Sequence, residues 1–252
     1  MSTARVCLVT GAGRGIGRAV VQRLVAYGHR VGVVARSADD IEEVARAVGG
    51  ETMTITADVT RTEDVQRMFD AVVDRWGPVQ VLVSNAGSGT AAPLVDTTDE
   101  EWQHALELNL TAPFRCVRRA LPGMLDAGWG RIVVIASVVA KRGESQVSAY
   151  TASKHGVLGL VRAAAAEVAS TGVTVNAVCP GYVDTPMTAQ TVAAISARTG
   201  RSTVDAQRLL ARRQPIGRLI DPAEVAEAVH FCVVNGAVTG QGINVDGGAV
   251  QS

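Results

Sequence analysis

Short apolar runs rich in β-branched residues alternate with longer amphipathic stretches along all 252 residues of the chain. Most positions within a run are apolar, rather than every second one, which is typical of parallel strands covered by helices on both faces. The pattern therefore predicts an α/β fold with a doubly wound parallel sheet of about seven strands and helices on both faces. The strands are predicted at residues 6–10, 30–35, 52–57, 79–84, 131–136, 173–179 and 242–246.

Polar residues mark the starts of two helices between these strands. Thr98 and Glu101 have the spacing of a capping box, and Asp221 precedes Pro222 as an N-cap precedes a proline at the first helical position. No linker or repeat interrupts the alternation, so we predict a single domain over residues 1–252. The exception is the weakly patterned segment 187–217, which is much longer than the usual connection of about 2 to 6 residues and is predicted to form a substrate lid.

The helix predicted at about residues 149–169 is apolar on more than one side. Such a helix is covered on two sides. One interpretation is a helix held between the sheet and its own neighbours. The other is a subunit interface, which would make the protein a homotetramer or a homodimer.

The charge and cysteine content exclude several classes of protein. Lysine and arginine number 24, aspartate and glutamate number 24, and the formal charge is zero, which argues against nucleic-acid and anionic-membrane partners. The four cysteines lie far apart without C-x-x-C or zinc-type spacing, so we expect a reduced, cytoplasmic chain with no metal site. The longest near-apolar stretch, 132–140, contains Ser137 and is far shorter than the roughly 20 residues of a membrane span.

A glycine-rich segment, Thr10 to Gly17, directly follows the first predicted strand with the spacing G-x-x-x-G-x-G. Glycines between a strand and a helix let the backbone approach a pyrophosphate, whose charge the helix N-terminus stabilises. The alternative is a tight connection that binds nothing. With a ligand, this is the dinucleotide site of a Rossmann-type fold.

The residue at the end of the second strand indicates which dinucleotide binds. A carboxylate there bonds the 2′-hydroxyl of NAD, whereas Arg36 stands at that place here, about twenty residues past the loop. A guanidinium suits the 2′-phosphate of NADP, and Arg14 and Ser37 are expected to complete its pocket. We therefore predict NADPH (NADP+) as the preferred cofactor, with NAD(H) as the alternative. A merely solvated arginine is the other interpretation of Arg36.

Tyr150 and Lys154 lie four residues apart, on one face of a predicted helix, with Ser137 at the end of the strand before them and Asn109 in the preceding helix. Together with the glycine loop and the segments 58–59, 85–87 and 180–181, they closely resemble the short-chain dehydrogenase/reductase family. The resemblance covers the whole chain, down to residues 244–248.

The resemblance implies a role for each of these side chains. Tyr150 would be the general acid, and Lys154 would stabilise its phenolate and hold the nicotinamide ribose. Ser137 would hydrogen-bond the substrate oxygen, and Asn109 would hold a water that leads protons to Lys154. Residues 58–59 would hold the adenine, 85–87 the adenosine side and 180–185 the nicotinamide. The implied cofactor-binding residues are Gly11, Arg14, Gly15, Ile16, Gly17, Arg36, Ser37, Asp58, Val59, Asn85, Ala86, Gly87, Tyr150, Lys154, Pro180, Gly181, Val183 and Thr185.

Within the family, segments 154–157, 176–181 and 215–218 are similar to 3-oxoacyl-(acyl-carrier-protein) reductases and aromatic polyketide ketoreductases. This implies an NADPH-dependent reductase of a 3-oxoacyl thioester of fatty acid or polyketide metabolism. The alternatives are an NAD-dependent secondary-alcohol or 3-hydroxyacyl dehydrogenase, a polyketide ketoreductase and, remotely, a non-catalytic dinucleotide sensor. Two departures concern the substrate: Gly128 and Thr171 replace basic residues that dock a carrier protein, and residues 88–92 replace a glycine triplet.

The lid segment 187–217 carries a local charge of +4 despite the neutral total. One interpretation is a solvated helix surface. The other is that the lid attracts the phosphates of coenzyme A or of a phosphopantetheine arm, with Lys141 and Arg142 adding to its charge. The charged lid residues are Arg198, Arg201, Arg208, Arg212 and Arg213, against the single acid Asp205.

Overall fold

Seven parallel strands form one sheet in the computed structural model, which describes residues 4–251. The predicted fold class is confirmed. The strands are β1 (Val6–Thr10), β2 (Arg30–Ala35), β3 (Thr52–Thr56), β4 (Val81–Ser84), β5 (Gly130–Ile135), β6 (Val173–Pro180) and β7 (Gly242–Val245). The helices are α1 (Gly15–Ala26), α2 (Ala38–Val48), α3 (Thr62–Trp76), α4 (Asp99–Leu106), α5 (Ala112–Asp126), α6 (Ser148–Val168), α7 (Pro186–Thr199), α8 (Thr203–Ala211) and α9 (Pro222–Val234).

The strand order is β3-β2-β1-β4-β5-β6-β7, so the order reverses at β1, which pairs with both β2 and β4. Connections leave β1 and β4 toward opposite faces of the sheet, which opens a crevice beyond their carboxyl ends. The functional site of a doubly wound sheet is expected in this crevice.

The predicted strand boundaries differ from the observed ones by at most two residues. The largest difference is in β4, which begins at Val81 rather than at residue 79 because its pairing with β1 covers only three residue pairs, starting at Cys7 and Val81. Where a strand stops depends on its neighbour in the sheet, which a local apolar pattern does not contain.

Two apolar layers cover the sheet. On one face, α3, α5 and α6 contribute Phe69, Met124 and Val161 to the core. On the other, α1 and α9 contribute Leu24 and Val229. Covering both faces explains why the strands are apolar at nearly every position.

The helix starts agree with the predicted caps. Thr98 forms a capping box with Glu101, and Asp221 forms one with Glu224. Helix α6 buries the side that faces the sheet, whereas Gly159, Ala163 and Ala166 on its other side are exposed in the single chain.

The lid is more regular than its sequence suggests, because most of segment 187–217 forms the helices α7 and α8. Only four buried apolar residues join the two helices, which is too few to give a detectable helical period in the sequence. Val192 and Ile195 of α7 pack against Ala206 and Leu210 of α8 in a small separate core.

Candidate active site

A cleft of about 500 Å³ lies beyond the carboxyl ends of the strands, where the strand order reverses. Its size falls within the range of small-molecule and cofactor sites. Most of the residues predicted to bind a cofactor line it, namely Gly11, Arg14, Gly15, Ile16, Arg36, Ser37, Asp58, Val59, Asn85, Ala86, Gly87 and Thr185.

The glycine loop brings backbone N–H groups to the floor of this cleft. Gly11 adopts the left-handed φ of +62°, and a Cβ on Gly17 would lie 2.2 Å from the carbonyl oxygen of Gly11. No side chain caps the N-terminus of α1, so its first N–H groups are left for a ligand. These features fit the pyrophosphate of a dinucleotide, which needs close backbone approach and a helix N-terminus.

Hydrogen bonds between Thr10, at the end of β1, and Asn85, just after β4, hold the glycine loop in place. Thr10 is not among the site residues predicted from the sequence. The buried Thr10 hydroxyl accepts hydrogen bonds from the backbone N–H groups of Asn85 and Ala86, at 3.0 and 3.1 Å. The Asn85 side chain donates to the carbonyl oxygens of Thr10 and Gly11, at 3.0 and 2.9 Å. The Asn85 side chain thus shapes the wall of the cleft through the protein backbone. Thr10 gave no signal in the sequence, because a single threonine at the end of an apolar strand is common.

Two arginines stand exposed at the rim of the cleft near the end of β2. Within the described residues, no hydrogen bond or ion pair engages the guanidinium of Arg14 or of Arg36. The Ser37 hydroxyl caps α2 by accepting from the N–H of Asp40, which leaves its own proton to donate. Two unpaired guanidinium groups beside a hydroxyl fit a phosphate monoester, as the 2′-phosphate of NADPH requires.

Asp58 lies on the same side of the cleft. Burial alone would raise the pKa of its carboxyl, but hydrogen bonds from Thr60 and the charge of Arg36 outweigh burial and lower the pKa. Both Thr60 donors reach Asp58 Oδ1, the backbone N–H at 3.0 Å and the hydroxyl at 2.7 Å. The carboxylate therefore remains ionised and oriented.

A smaller cavity of about 100 Å³ shares lining residues, including Ile16 and Gly87, with the large cleft. The tertiary structure brings together here the end of β5, the first turn of α6 and the end of β6. Its predicted residues are Ser137, Tyr150, Lys154, Pro180, Gly181, Val183 and Thr185.

The Tyr150 hydroxyl is hydrogen-bonded to the Ser137 side chain. Burial raises the pKa of Tyr150 to about 12, although the bond with Ser137 acts in the opposite direction. In the protein alone, desolvation outweighs the influence of the nearby groups on this pKa. The phenol is fully protonated at neutral pH.

Lys154 is 4% exposed and its ammonium donates to the carbonyl oxygen of Ile135 at 2.8 Å. Burial lowers the pKa of Lys154 to about 8. The side chain is thus mostly charged at neutral pH and becomes neutral as the pH rises through about 8. Its Nζ lies 5.6 Å from the centre of the Tyr150 ring, close enough to stabilise a phenolate.

Asn109 lies in a π-helical turn, Glu107–Thr111, which joins α4 to α5. The side chain is fully buried, accepts from the N–H of Ser88 at 3.1 Å and donates to the Ser88 carbonyl at 2.9 Å. A Cβ on Gly87 would lie 2.8 Å from Asn109 Oδ1 and 3.5 Å from Lys154 Nζ, so these groups meet around Gly87. The side chain fixes a loop, and its role in holding a water stays a prediction.

The segment after β6 joins the cavity to the lid. Thr185 caps α7 by accepting from the N–H of Thr188, and its methyl group would lie 3.1 Å from a Cβ on Gly15. Gln214, which the sequence did not indicate, is 1% exposed and accepts from the N–H of Tyr182 at 2.7 Å. The lid is therefore anchored at both ends beside the cofactor cleft.

The lid arginines differ in their partners. Arg213 pairs with Glu144 at 2.5 Å, Arg198 donates to Gln146 at 2.5 Å, and Arg208 faces Asp205 at 3.6 Å.

Arg201 and Arg212 have guanidinium groups that no described residue engages through a hydrogen bond or ion pair. Lys141 donates to the Gly242 carbonyl, and Arg142 donates to the Ala249 carbonyl and pairs with Glu144, so their contribution to the charge near the lid stays a prediction.

Over residues 4–251, no group of three or more His, Cys, Asp or Glu side chains is placed to hold a metal ion. None of the helices in that range is long and apolar enough to cross a bilayer. The four cysteines are buried and unpaired.

A cleft that fits a phosphorylated dinucleotide and ends at a partly buried phenol and a buried ammonium, on a doubly wound sheet, is typical of a dinucleotide-dependent oxidoreductase. Comparison with known proteins identifies the family within this class. The model of the short chain dehydrogenase family matches residues 5–196, and the chain belongs to this family.

The chain is similar to ketoreductases, to a dehydrogenase and to 3-oxoacyl reductases. The chain is 43% identical to an actinorhodin polyketide ketoreductase solved with NADPH, with a TM-score of 0.95 over 99% of each chain. It is 40% identical to cis-4-hydroxycyclohexanecarboxylate dehydrogenase of Sinomonas cyclohexanicum, over 97% of this chain and 96% of the relative. It is 37% identical to a 3-oxoacyl-(acyl-carrier-protein) reductase of Vibrio cholerae, over 97% of this chain and 96% of the relative.

These findings confirm the predicted family, an enzyme that is an oxidoreductase, and a function of the ketoacyl reductase type. The NADPH in the matched structure agrees with the predicted cofactor.

Proposed function

We propose that this protein is an NADPH-dependent reductase that converts the keto group of a 3-oxoacyl thioester to a secondary alcohol. The observation that carries the proposal is the protonated Tyr150 hydroxyl, hydrogen-bonded to Ser137 at the inner end of a cleft whose rim holds Arg14 and Arg36. The glycine loop and the uncapped start of α1 fit the pyrophosphate, and the two arginines fit the 2′-phosphate.

Bound NADPH supplies a hydride to the carbonyl carbon. As the C=O π bond breaks, the carbonyl oxygen takes the proton of Tyr150, which becomes a phenolate. The Ser137 hydroxyl donates a hydrogen bond to the same oxygen, an interaction that strengthens as negative charge develops. The charged Lys154 stabilises the phenolate until a proton returns from solvent, for which Asn109 is the proposed relay residue.

The Tyr150 phenol keeps its proton near neutral pH, because burial raises its pKa. Reduction needs the phenol, which is the form present, whereas alcohol oxidation needs the phenolate. The unpaired Arg14 and Arg36 favour NADPH over NADH. Both features favour a reductase over the alternative of an NAD-dependent alcohol or 3-hydroxyacyl dehydrogenase.

The substrate we propose is a thioester of coenzyme A or of an acyl carrier protein. Its support is the similarity to 3-oxoacyl reductases and the pair of unengaged guanidinium groups, Arg201 and Arg212, on the lid. These cations suit the phosphates of coenzyme A or of a phosphopantetheine arm.

Further proposals concern the organisation of the enzyme. We infer one catalytic domain over residues 1–252 with its lid at 187–217, acting in the cytoplasm as a homotetramer or homodimer. Buried unpaired cysteines suit a reducing compartment. The exposed Phe231 and Val234 of α9, and the small residues on the outer side of α6, suit contacts between copies.

The test is a spectrophotometric panel of acetoacetyl-CoA, the same acyl group on a carrier protein, a bicyclic ketone and simple secondary alcohols, each with both cofactors. We expect the thioesters with NADPH to react fastest. Tyr150→Phe should lower kcat by about 10²-fold to 10⁴-fold while NADPH still binds. Preference for an alcohol with NAD, or near-normal turnover by Tyr150→Phe, would overturn the proposal.

A further inference from the structure

The π-helical turn Glu107–Thr111 faces the functional site on two sides. Its Leu108 lines the cofactor cleft, while its Asn109 holds both backbone groups of Ser88. π-Helical turns are rare, form mostly as single turns inside α-helices and often occur at functional sites. The side chains that contact this turn from outside therefore affect the shape of the site.

One side chain, Arg115, contacts both this turn and a separate wall of the cleft. From the first turns of α5, its Nη1 pairs with the carboxylate of Glu107, the residue that begins the π-helical turn. The same nitrogen donates to the backbone carbonyl of Thr60 at 2.8 Å. The side chains of Arg115 and Glu107 are 21% and 36% exposed, so the pair is less solvated than most ion pairs of this protein.

Thr60 belongs to the part of the cleft wall that holds Asp58 in place. A continuous set of contacts therefore runs from Asp58 through Thr60 and Arg115 to Glu107, and across the π-helical turn to Asn109. Ser88 follows, in the loop that also carries Gly87 and meets Lys154. The contacts join the end of the cleft near Arg36 to the side chains proposed to move protons.

We propose that Arg115 and Glu107 are positioning residues, which hold the π-helical turn so that Asn109 fixes the loop beside Lys154 and the cleft wall at Asp58 keeps its shape. The inference rests on the proposed function only for the catalytic role of Asn109. It predicts that losing either member of the pair impairs both NADPH binding and turnover, although neither side chain lines the cleft.

The variants are Arg115→Gln and Glu107→Gln, with Arg119→Gln as the matched control. Arg119 lies one helical turn further along α5 and pairs with Asp70 on the surface. We expect Arg115→Gln to lower kcat about 10-fold to 100-fold, the scale of small misplacements in an active site. We also expect a higher Kd for NADPH, measured by the fluorescence of the nucleotide. Arg119→Gln should match the wild type, and Glu107→Gln serves if Arg115→Gln fails to fold.

A double-mutant cycle separates positioning from general destabilisation. If Arg115 acts through Asn109, then Asn109→Ala combined with Arg115→Gln should have the kcat of Asn109→Ala alone, because the removed contacts belong to one unit. Additive losses in kcat, or an Arg115→Gln variant that matches Arg119→Gln, would overturn the inference. If the wild type reduces no tested ketone, the proposed function fails. The ratio of NADPH Kd values for Arg115→Gln and Arg119→Gln then decides the inference by itself.

Discussion

Replacing Arg36 by glutamine tests the assignment of the cofactor most directly. Arg36 is exposed at the end of β2 and no described residue engages its guanidinium through a hydrogen bond or an ion pair, so its removal breaks no such contact within the protein. Glutamine keeps most of the aliphatic side chain and removes the charge. The change should therefore act on the bound nucleotide and leave the fold intact.

The expected magnitude follows from the exposure of the site. A hydrogen bond to a charged group contributes about 1.5 to 3 kcal/mol, and an exposed site such as this one belongs at the lower end. A loss of about 1.5 kcal/mol corresponds to roughly tenfold weaker NADPH binding. The charge of Arg36 also lowers the pKa of Asp58, so the variant leaves that carboxylate less compensated near the phosphate. Tenfold is thus a lower estimate.

The assay compares kcat/KM for NADPH and for NADH, both with the same ketone. Arg36→Gln should lower the NADPH value about tenfold or more and change the NADH value by less than about twofold, since NADH lacks the 2′-phosphate. The control is Arg18→Gln, because Arg18 lies in the same region on α1 but pairs with Glu43. An equal loss for both nucleotides, or no loss with NADPH, would refute the assignment of Arg36 to the 2′-phosphate.

Two further predictions concern the proton path and the glycine loop. With NADPH saturating, kcat should fall as the pH rises through about 8. Lys154 loses its charge in this range, whereas Tyr150 keeps its proton up to a pH of about 12. A kcat that increases through this range would contradict the role of charged Lys154. Gly17→Ala should abolish NADPH binding and lower Tm, because its methyl group would lie 2.2 Å from the Gly11 carbonyl, whereas Gly143→Ala in open space should bind NADPH normally in the same titration.

Most of the fold could be predicted from the sequence because parallel strands and glycine turns carry local signals. All seven predicted strands are present, and the two predicted helix caps are in place. The lid was predicted as a segment but not as a helix pair, because the four apolar residues that join α7 and α8 form too small a core to leave a periodic pattern. Its length alone indicated that it was unusual.

The site shows the same division more sharply. The sequence was sufficient to select Arg14, Arg36 and Tyr150. Each has a charged or ionisable side chain, and each lies at a recognisable distance from the glycine loop, a strand end or Lys154. Thr10 and Gln214 could not, because their importance consists of hydrogen bonds to residues 75 and 32 positions away.

Local sequence was sufficient for the order of strands and helices, the glycine turn and the side chains with reactive groups, because each depends on a few neighbouring residues. The tertiary structure alone determined their electrostatics and their support. Burial, which exists only in the packed protein, raises the pKa of Tyr150. Packing likewise gave Lys141 and Arg142 backbone carbonyl partners, and it placed Arg115 between the cleft wall and the π-helical turn. Such contacts join distant parts of the chain, and no spacing along the sequence encodes them.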